Sequence, residues 1–348
     1  MNHFSYSLDL ETAGDEPGFG LQPYRALCDP PRAWITCCAV ADLAAKRCVL
    51  TTENYQAELD KLAGQRVVGW NMKFDIAWLI ATGHDVSKIK WFDAMLLWKW
   101  VLNSQRTDGG AWRWSLEHAV EYYAKYLPGA AKFIEMKKNA PADGIDDIYW
   151  KKRAKADTVM TVLLGNLLWE RLSTQQKRSA AIEATNLVPV ARGWLMGIYL
   201  DMDMVEAAAP SVTQGMEDIE LRLGVHNAPV SGEPQDHAKW APSAILRSPK
   251  KLANLLYEVW KLPVEFRSEK TGEPSTHKAA LTYLADRSDL CLEILAWRKL
   301  NTELTKFIQG FRKSVNYLNM GDRSYPEPKL FATKTGRQTY SSKTRAEF

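Results

Sequence analysis

The strand-like segments of this 348-residue chain crowd into its first 93 residues, and after about residue 175 such signals nearly vanish. A chain of this length exceeds one comfortable core. The shift therefore marks two domains, a sheet-bearing one first and a helical one second. Phe4, Tyr6, Leu8 and Leu10 alternate with Ser5, Ser7 and Asp9, the period of a half-buried strand. Further strands are expected over 33–40, 47–51, 66–69 and 90–93. Helices are expected over 54–62, over the segment after Asn71, and over 94–102, 116–126 and 149–171. Asn71 is read as the cap of its helix, since its side chain can accept from free backbone N–H groups. The order suits an α/β sheet with one antiparallel hairpin. Residues 103–114 and 138–147 read as loops.

The second half carries helical patterns over 180–196, 204–223, 249–260 and 288–318. In the last of these, Leu292, Leu295, Leu300, Leu304, Phe307, Ile308 and Phe311 recur at helical spacing and are expected to be core. His226 to Lys239 is polar with Pro and Gly and reads as a connection.

Composition sets the class. Hydrophobic residues are 46% and charged residues 25%, as in an ordinary globular protein. No apolar run is long enough to span a bilayer, and no secretory leader is visible, so a cytoplasmic place is expected. Cys28, Cys37, Cys38, Cys48 and Cys291 form no Cys-x-x-Cys pair and read as reduced thiols. The net charge of +4 is modest, but from Arg247 onward basic residues outnumber acidic ones. Such a basic end is a solvated face or a phosphate-binding one.

Four acids in three distant segments carry the chemistry. Asp9 and Glu11 stand two apart on a strand and so share a face. Asp75 lies one turn into the helix after Asn71, and Asp157 lies inside a later helix. Adjacent carboxylates repel, whereas hard divalent cations such as Mg²⁺ or Mn²⁺ reverse that cost. Two such ions can hydrolyse a phosphodiester.

Asp9-Leu-Glu-Thr12, Asn71-Met-Lys-Phe-Asp75 and the helix bearing Asp157 together resemble the three motifs of the DEDD group of 3′–5′ exonucleases, which have a ribonuclease H-like α/β fold. The resemblance implies Asp9, Glu11, Asp75 and Asp157 as catalytic ligands of two divalent metal ions. Lys90-Trp-Phe-Asp-Ala-Met-Leu96 is similar to the segment after the second motif, with Asp93 a structural cap. One departure stands out. The group places a Tyr four residues, or a His five residues, before the last Asp. Those positions are Arg153 and Lys152 here, and Tyr149 is two turns from Asp157. Either the metals act without that residue, or the site is impaired.

The second half resembles family A DNA polymerases, phage and bacterial, in the order of that family's motifs. The matching segments are Ala191-Arg-Gly-Trp-Leu-Met-Gly-Ile-Tyr-Leu-Asp201, Ser248-Pro-Lys-Lys-Leu252, Lys270-Thr-Gly-Glu-Pro-Ser-Thr276, Trp297-Arg-Lys-Leu300 and Thr333-Lys-Thr-Gly-Arg337. It implies an exonuclease domain over 1–178, a mainly α-helical polymerase thumb over 179–325 and the start of a palm at a thumb–palm junction over 326–348. The remaining palm and fingers are expected beyond Phe348 or on another chain, so this chain alone is not expected to polymerise. Single-stranded DNA 3′ ends and primer–template duplex are the implied partners, without a membrane. If the protein is phage-encoded, its place is the bacterial host cytoplasm. Implied nucleic-acid contacts are Thr12, Asn71, Phe74 and Arg153 in the first half. In the second they are Lys270, Thr271, Ser275, Thr276, Lys278, Thr335 and Arg337, with Arg298 and Lys299 either touching DNA or supporting the thumb base. The resulting expectation is a proofreading exonuclease with a DNA-gripping thumb. A catalytically impaired DNA-binding or assembly module, favoured by Arg153, is the alternative. An RNA-trimming enzyme leaves the second-half motifs unexplained.

Overall fold

Strand β1 (Tyr6–Gly14) forms where the alternation begins, with Leu8 and Leu10 buried and Asp9 between them. It belongs to a computed structural model that describes residues 3–15, 22–102, 114–139, 147–224, 242–269, 271–318, 320–331 and 337–341. Lys270, Thr335 and Gly336, most of the two expected loops, and the His226–Lys239 connection lie outside the described residues. The chain divides into two compact units, Met1–Ile198 with Arg323–Phe348, and Tyr199–Asp322.

In the first unit β1 pairs antiparallel with β2 (Ala33–Asp42), which pairs antiparallel with β3 (Arg47–Thr51). On its other edge β1 pairs parallel with β4 (Arg66–Gly69), and β4 pairs parallel with β5 (Lys90–Asp93). The order is β3-β2-β1-β4-β5, which makes β1 the central strand. Parallel neighbours need crossovers. Helices α1 (Tyr55–Lys61) and α2 (Lys73–Ala81) precede β4 and β5 in sequence and fill that need. The β1–β2 register slips between Glu11 and Thr12, where Glu11 faces Cys37 and Thr12 faces Ile35. Such a bulge bends the strand and re-aims side chains. Gly69 ends β4 with no room for a side chain, because a Cβ there would overlap Met72 Sδ and lie 3.0 Å from the Leu8 carbonyl oxygen.

Helices α3 (Ala94–Leu102), α4 (Leu116–Tyr122), α5 (Ala130–Lys138) and α6 (Asp147–Arg171) build a core against one side of the sheet around Phe4, Val68, Trp98, Phe133, Leu164 and Leu168. Three hydrogen bonds from two side chains, Asn166 and Ser7, fix α6 along β1 and the residues just before it. The Asn166 amide accepts from the Phe4 N–H and donates to the Phe4 carbonyl, both at 2.9 Å. The Ser7 hydroxyl donates to the Thr158 carbonyl at 2.6 Å. Buried polar pairings of this kind hold one register, because breaking them strands donors away from water.

The start of α2 differs from expectation. Asn71 does not cap the helix with its side chain. It adopts φ +58°, and Met72 occupies the cap position. The cap comes from the next strand: Asp93 Oδ1 accepts from the Asn71 N–H at 3.0 Å, and Asp93 Oδ2 from the Met72 N–H at 3.1 Å. Asp93 Oδ1 also accepts from Met95 N–H at 2.9 Å, so one carboxylate serves the starts of α2 and α3. The 180–196 pattern divides at Asn186 into α7 (Thr174–Thr185) and α8 (Leu187–Met196), and Ser173 opens α7 with a capping box. The five cysteines are free thiols.

A short strand, Glu327–Lys329, pairs antiparallel with Thr339–Ser341. Glu327 meets Lys73 Nζ at 2.9 Å, with the lysine side chain 3% and the glutamate 13% exposed. Removing one member of a buried pair leaves an uncompensated charge, which typically costs about 3–5 kcal/mol. Lys73→Met is therefore expected to lower unfolding free energy by at least about 3 kcal/mol, read by urea denaturation. A loss below about 1 kcal/mol would mean that the pair behaves as a surface one.

In the second unit α9 (Met202–Arg222), α10 (Pro242–Arg247) and α11 (Pro249–Ala253) precede a π-helical turn, Asn254–Val259. They pack with α12 (Lys278–Ala285) and α13 (Leu290–Thr302) around Leu252, Leu281, Ile294 and Trp297. The long helix expected over 288–318 is three segments: α13, a π-helical turn (Glu303–Ile308) and α14 (Gln309–Leu318). The expected stripe is not all core. Leu292 and Phe307 are about half exposed, and Cys291, Ile294, Trp297 and Ile308 are buried. Trp297 Nε1 donates to Glu220 at 2.8 Å, which satisfies the buried indole.

Candidate active site

Asp9, Glu11 and Asp157 meet. One carboxylate oxygen from each lies within 4.8 Å of the others, although Asp157 is far away in sequence. Strand alternation puts Asp9 and Glu11 on one face, and the α6 clamps bring Asp157 over that face. Asp75, in the first turn of α2, is buried against the same strand, and its Oδ1 accepts from Leu10 N–H at 3.1 Å. It lies outside the group of three, yet its charge bears on Asp9. The structure thus gathers three of the expected acids tightly and sets the fourth beside them.

Burial marks every one of these acids, and repulsion from neighbouring acids adds to it at Asp9, Glu11 and Asp75. Burial first, then the charges of Asp75, Asp157 and Glu11, push Asp9 well above the usual carboxylate range. Burial raises Glu11 to about 7, against the opposing pull of Arg153. Burial raises Asp75 to about 8, although the Leu10 N–H favours its anion. Asp157 is raised by burial and drawn back by Lys137. An unfolded chain releases such protons near pH 4. The folded, metal-free chain holds them until about pH 7 for Glu11 and about 8 for Asp75. In that window the native state binds more protons, so stability falls as pH rises. The thermal midpoint of metal-free protein is expected to decline from about pH 5 to about pH 8, with Mn²⁺ restoring it at the upper end. A midpoint that rises across this range would contradict the crowding.

Two cations sit on Asp157. Lys137 Nζ donates to Asp157 Oδ2 at 2.7 Å, and Arg153 Nε lies 3.5 Å from the same oxygen. Asp157 Oδ1 is buried with no hydrogen-bond partner. Lys137 was not among the residues expected from sequence. It stands in the last turn of α5, where a lysine reads in the sequence as compensation of the helix dipole. The hydroxyl of Tyr149 donates to the Met136 carbonyl at 3.3 Å.

The other expected residues fall into two sets. In the first unit Thr12 follows the bulge, Phe74 is half-buried with its ring 6.2 Å from Trp78, and Arg337 is exposed. In the second unit Thr271, Ser275, Thr276 and Arg298 line an open cleft of about 930 Å³ together with Lys250 and His277. Lys278 is exposed at the first turn of α12. Arg298 Nη1 donates to the Thr276 carbonyl at 2.6 Å, which holds the buried Thr276 in place and commits the guanidinium to support. Lys250 and His277 were not anticipated. Ser248, which caps α11 through Lys251 N–H at 3.4 Å, marks that helix start in the sequence.

No protein-family model and no curated protein sequence matches the chain. Among solved structures, the POL domain of Pol1 from M. smegmatis, in complex with DNA primer-template and dNTP, is similar with a TM-score of 0.62 and 18% identity. The match covers 97% of this chain and 50% of that one, so the chain spans about half the length of the neighbour. At this identity the likeness shows a shared fold: this chain has the fold of part of a DNA polymerase domain, a mixed α/β unit with a mainly helical one. Among the described residues no helix is long and apolar enough to cross a membrane.

Proposed function

We propose that the first unit is a divalent-metal-dependent 3′–5′ exonuclease and that the second unit grips primer–template DNA, as the proofreading and thumb portion of a family A polymerase. The observation that carries this reading is the convergence of Asp9, Glu11 and Asp157 within 4.8 Å. The donor set fits Mg²⁺ or Mn²⁺, since it is all carboxylate oxygen and includes the buried, unpartnered Asp157 Oδ1. Asp9, Glu11 and Asp157 would hold the ions, with Asp75 as the fourth ligand or as the support that fixes Asp9. Bound there, such ions supply an activated water and stabilise charge on a leaving oxygen. The products would be a nucleoside 5′-monophosphate and a strand shortened by one residue with a new 3′-hydroxyl. Thr12 and Phe74 stand near the acids in sequence, where they would stack or wedge terminal bases, and Asn71 shapes the turn from β4 into α2. Arg153 would hold Asp157 or meet a phosphate oxygen.

The fold likeness to a polymerase domain solved with primer-template supports DNA as the partner. Thr271, Ser275 and Lys278 are hydroxyl and ammonium groups suited to phosphates without reading sequence. Lys270, Thr335 and Arg337 extend that set by resemblance. Palm and fingers would come from elsewhere in the polymerase. The test is a labelled single strand incubated with Mg²⁺ or Mn²⁺: terminal nucleotides are lost with wild type and retained with Asp9→Ala. Equal trimming by both proteins would defeat the reading.

A second reading has one observation in its favour. Lys137 and Arg153 already neutralise Asp157, as in a pocket kept for shape inside a DNA-binding module. That reading expects salt-dependent duplex binding with no metal-dependent turnover.

A further inference from the structure

Lys137 is the charged group of the pocket that the hydrolytic reading does not use. Its Nζ bridges Asp157 Oδ2 at 2.7 Å and Glu117 Oε1 at 3.1 Å, and its side chain is about 10% exposed. Its place is well defined. Phe133, one turn earlier on α5, is buried, and the neighbouring Met136 carbonyl is held by Tyr149 of α6, the helix that carries Asp157. Glu117, in the first turn of α4, is the more open partner, with its side chain 37% exposed against 12% for Asp157. The ammonium therefore has two anionic resting places, one among the acids and one at their margin.

An ammonium and a divalent ion attract the same carboxylate and repel each other. Both cations near Asp157 address Oδ2, and Oδ1 stays buried without a partner. We propose that Lys137 is a tethered cation that competes with a divalent ion for Asp157, with Glu117 as its alternative seat, and so sets the affinity of the acidic pocket for metal. The inference rests on the reading of that pocket as a metal site. When a divalent ion arrives, Lys137 gives up Asp157 and keeps Glu117. When the ion leaves, Lys137 returns and covers part of the negative charge. Glu117 thus acts on metal affinity without touching the metal.

The test is Mn²⁺ binding by the full chain, followed by electron paramagnetic resonance of the free ion, with no nucleic acid present. Lys137→Met keeps most of the stem and removes the charge, and it is expected to tighten Mn²⁺ binding by about tenfold, the scale of one close charge–charge coupling. Glu117→Gln removes the alternative seat, confines Lys137 to Asp157 and is expected to weaken binding by about threefold. A purely structural lysine would not give shifts of opposite sign. If wild type and Lys137→Met bind equally, and Asp9→Asn abolishes binding in both, the role of Lys137 is refuted while the metal site stands. If Lys137→Met weakens binding, or Glu117→Gln tightens it, the competition is likewise refuted. If none of the proteins binds Mn²⁺ saturably, the metal site and the role of Lys137 fall together.

Discussion

Asp9→Asn is expected to abolish release of 3′-terminal nucleotides and at the same time to make the metal-free protein more stable. A carboxylate that holds a catalytic ion carries several kcal/mol of transition-state stabilisation. At about 1.4 kcal/mol per decade, the loss is roughly 1,000-fold or more. The stability gain has a separate cause. Asp9 is pushed up by burial and by Asp75, Asp157 and Glu11, so folding disfavours its charged form relative to the unfolded chain. Asparagine has nearly the same shape and needs no proton. Its thermal midpoint in EDTA is expected to lie above wild type, with the difference shrinking as pH falls toward the usual carboxylate range. Lost activity with an unchanged midpoint would mean that the acids are not crowded. A raised midpoint with full activity would mean that the crowding serves something other than hydrolysis.

The second large effect is expected at Asp93. Its carboxylate accepts from the N–H groups of Asn71, Met72 and Met95, and it is only 3% exposed. Asp93→Ala leaves three donors at two helix starts without an acceptor. Each unsatisfied buried donor costs about 1–3 kcal/mol, so the sum is on the order of 3–6 kcal/mol after partial relaxation. The effect on function is expected to follow, because the same turn aims Asp75 at the Leu10 N–H. Chemical denaturation of Asp93→Ala beside Asp93→Asn separates these contributions, since an amide oxygen in the place of Oδ1 can still accept from Asn71 and Met95 and leaves only the Met72 N–H without its acceptor. A loss below about 1 kcal/mol in Asp93→Ala would show that water replaces the cap.

Much of the first unit was legible in the sequence because local pattern and tertiary demand agree there. The alternation before Asp9 gave β1, and the apolar runs at 33–40, 47–51, 66–69 and 90–93 each became a strand. The convergence of Asp9, Glu11 and Asp157 followed from motif order. What escaped was set by contacts between distant segments. The cap of α2 comes from Asp93, one strand later, and outcompetes the Asn71 side chain. Lys137 reaches the acids only because α5 packs beneath α6. The even stripe over 288–318 concealed the π-helical turn at Glu303–Ile308, because a widened turn leaves no gap in an apolar pattern. Short helices such as Lys278–Ala285 carry too few residues for periodicity to distinguish them from loops.

The claim on which the rest depends is that the three converging carboxylates hold a divalent ion. A crystal soaked in Mn²⁺ and measured for anomalous scattering tests it directly. The expected result is a peak bound to carboxylate oxygens of Asp9, Glu11 and Asp157, with Lys137 withdrawn to Glu117. A map with no peak there, and with Lys137 still seated on Asp157, would contradict the account.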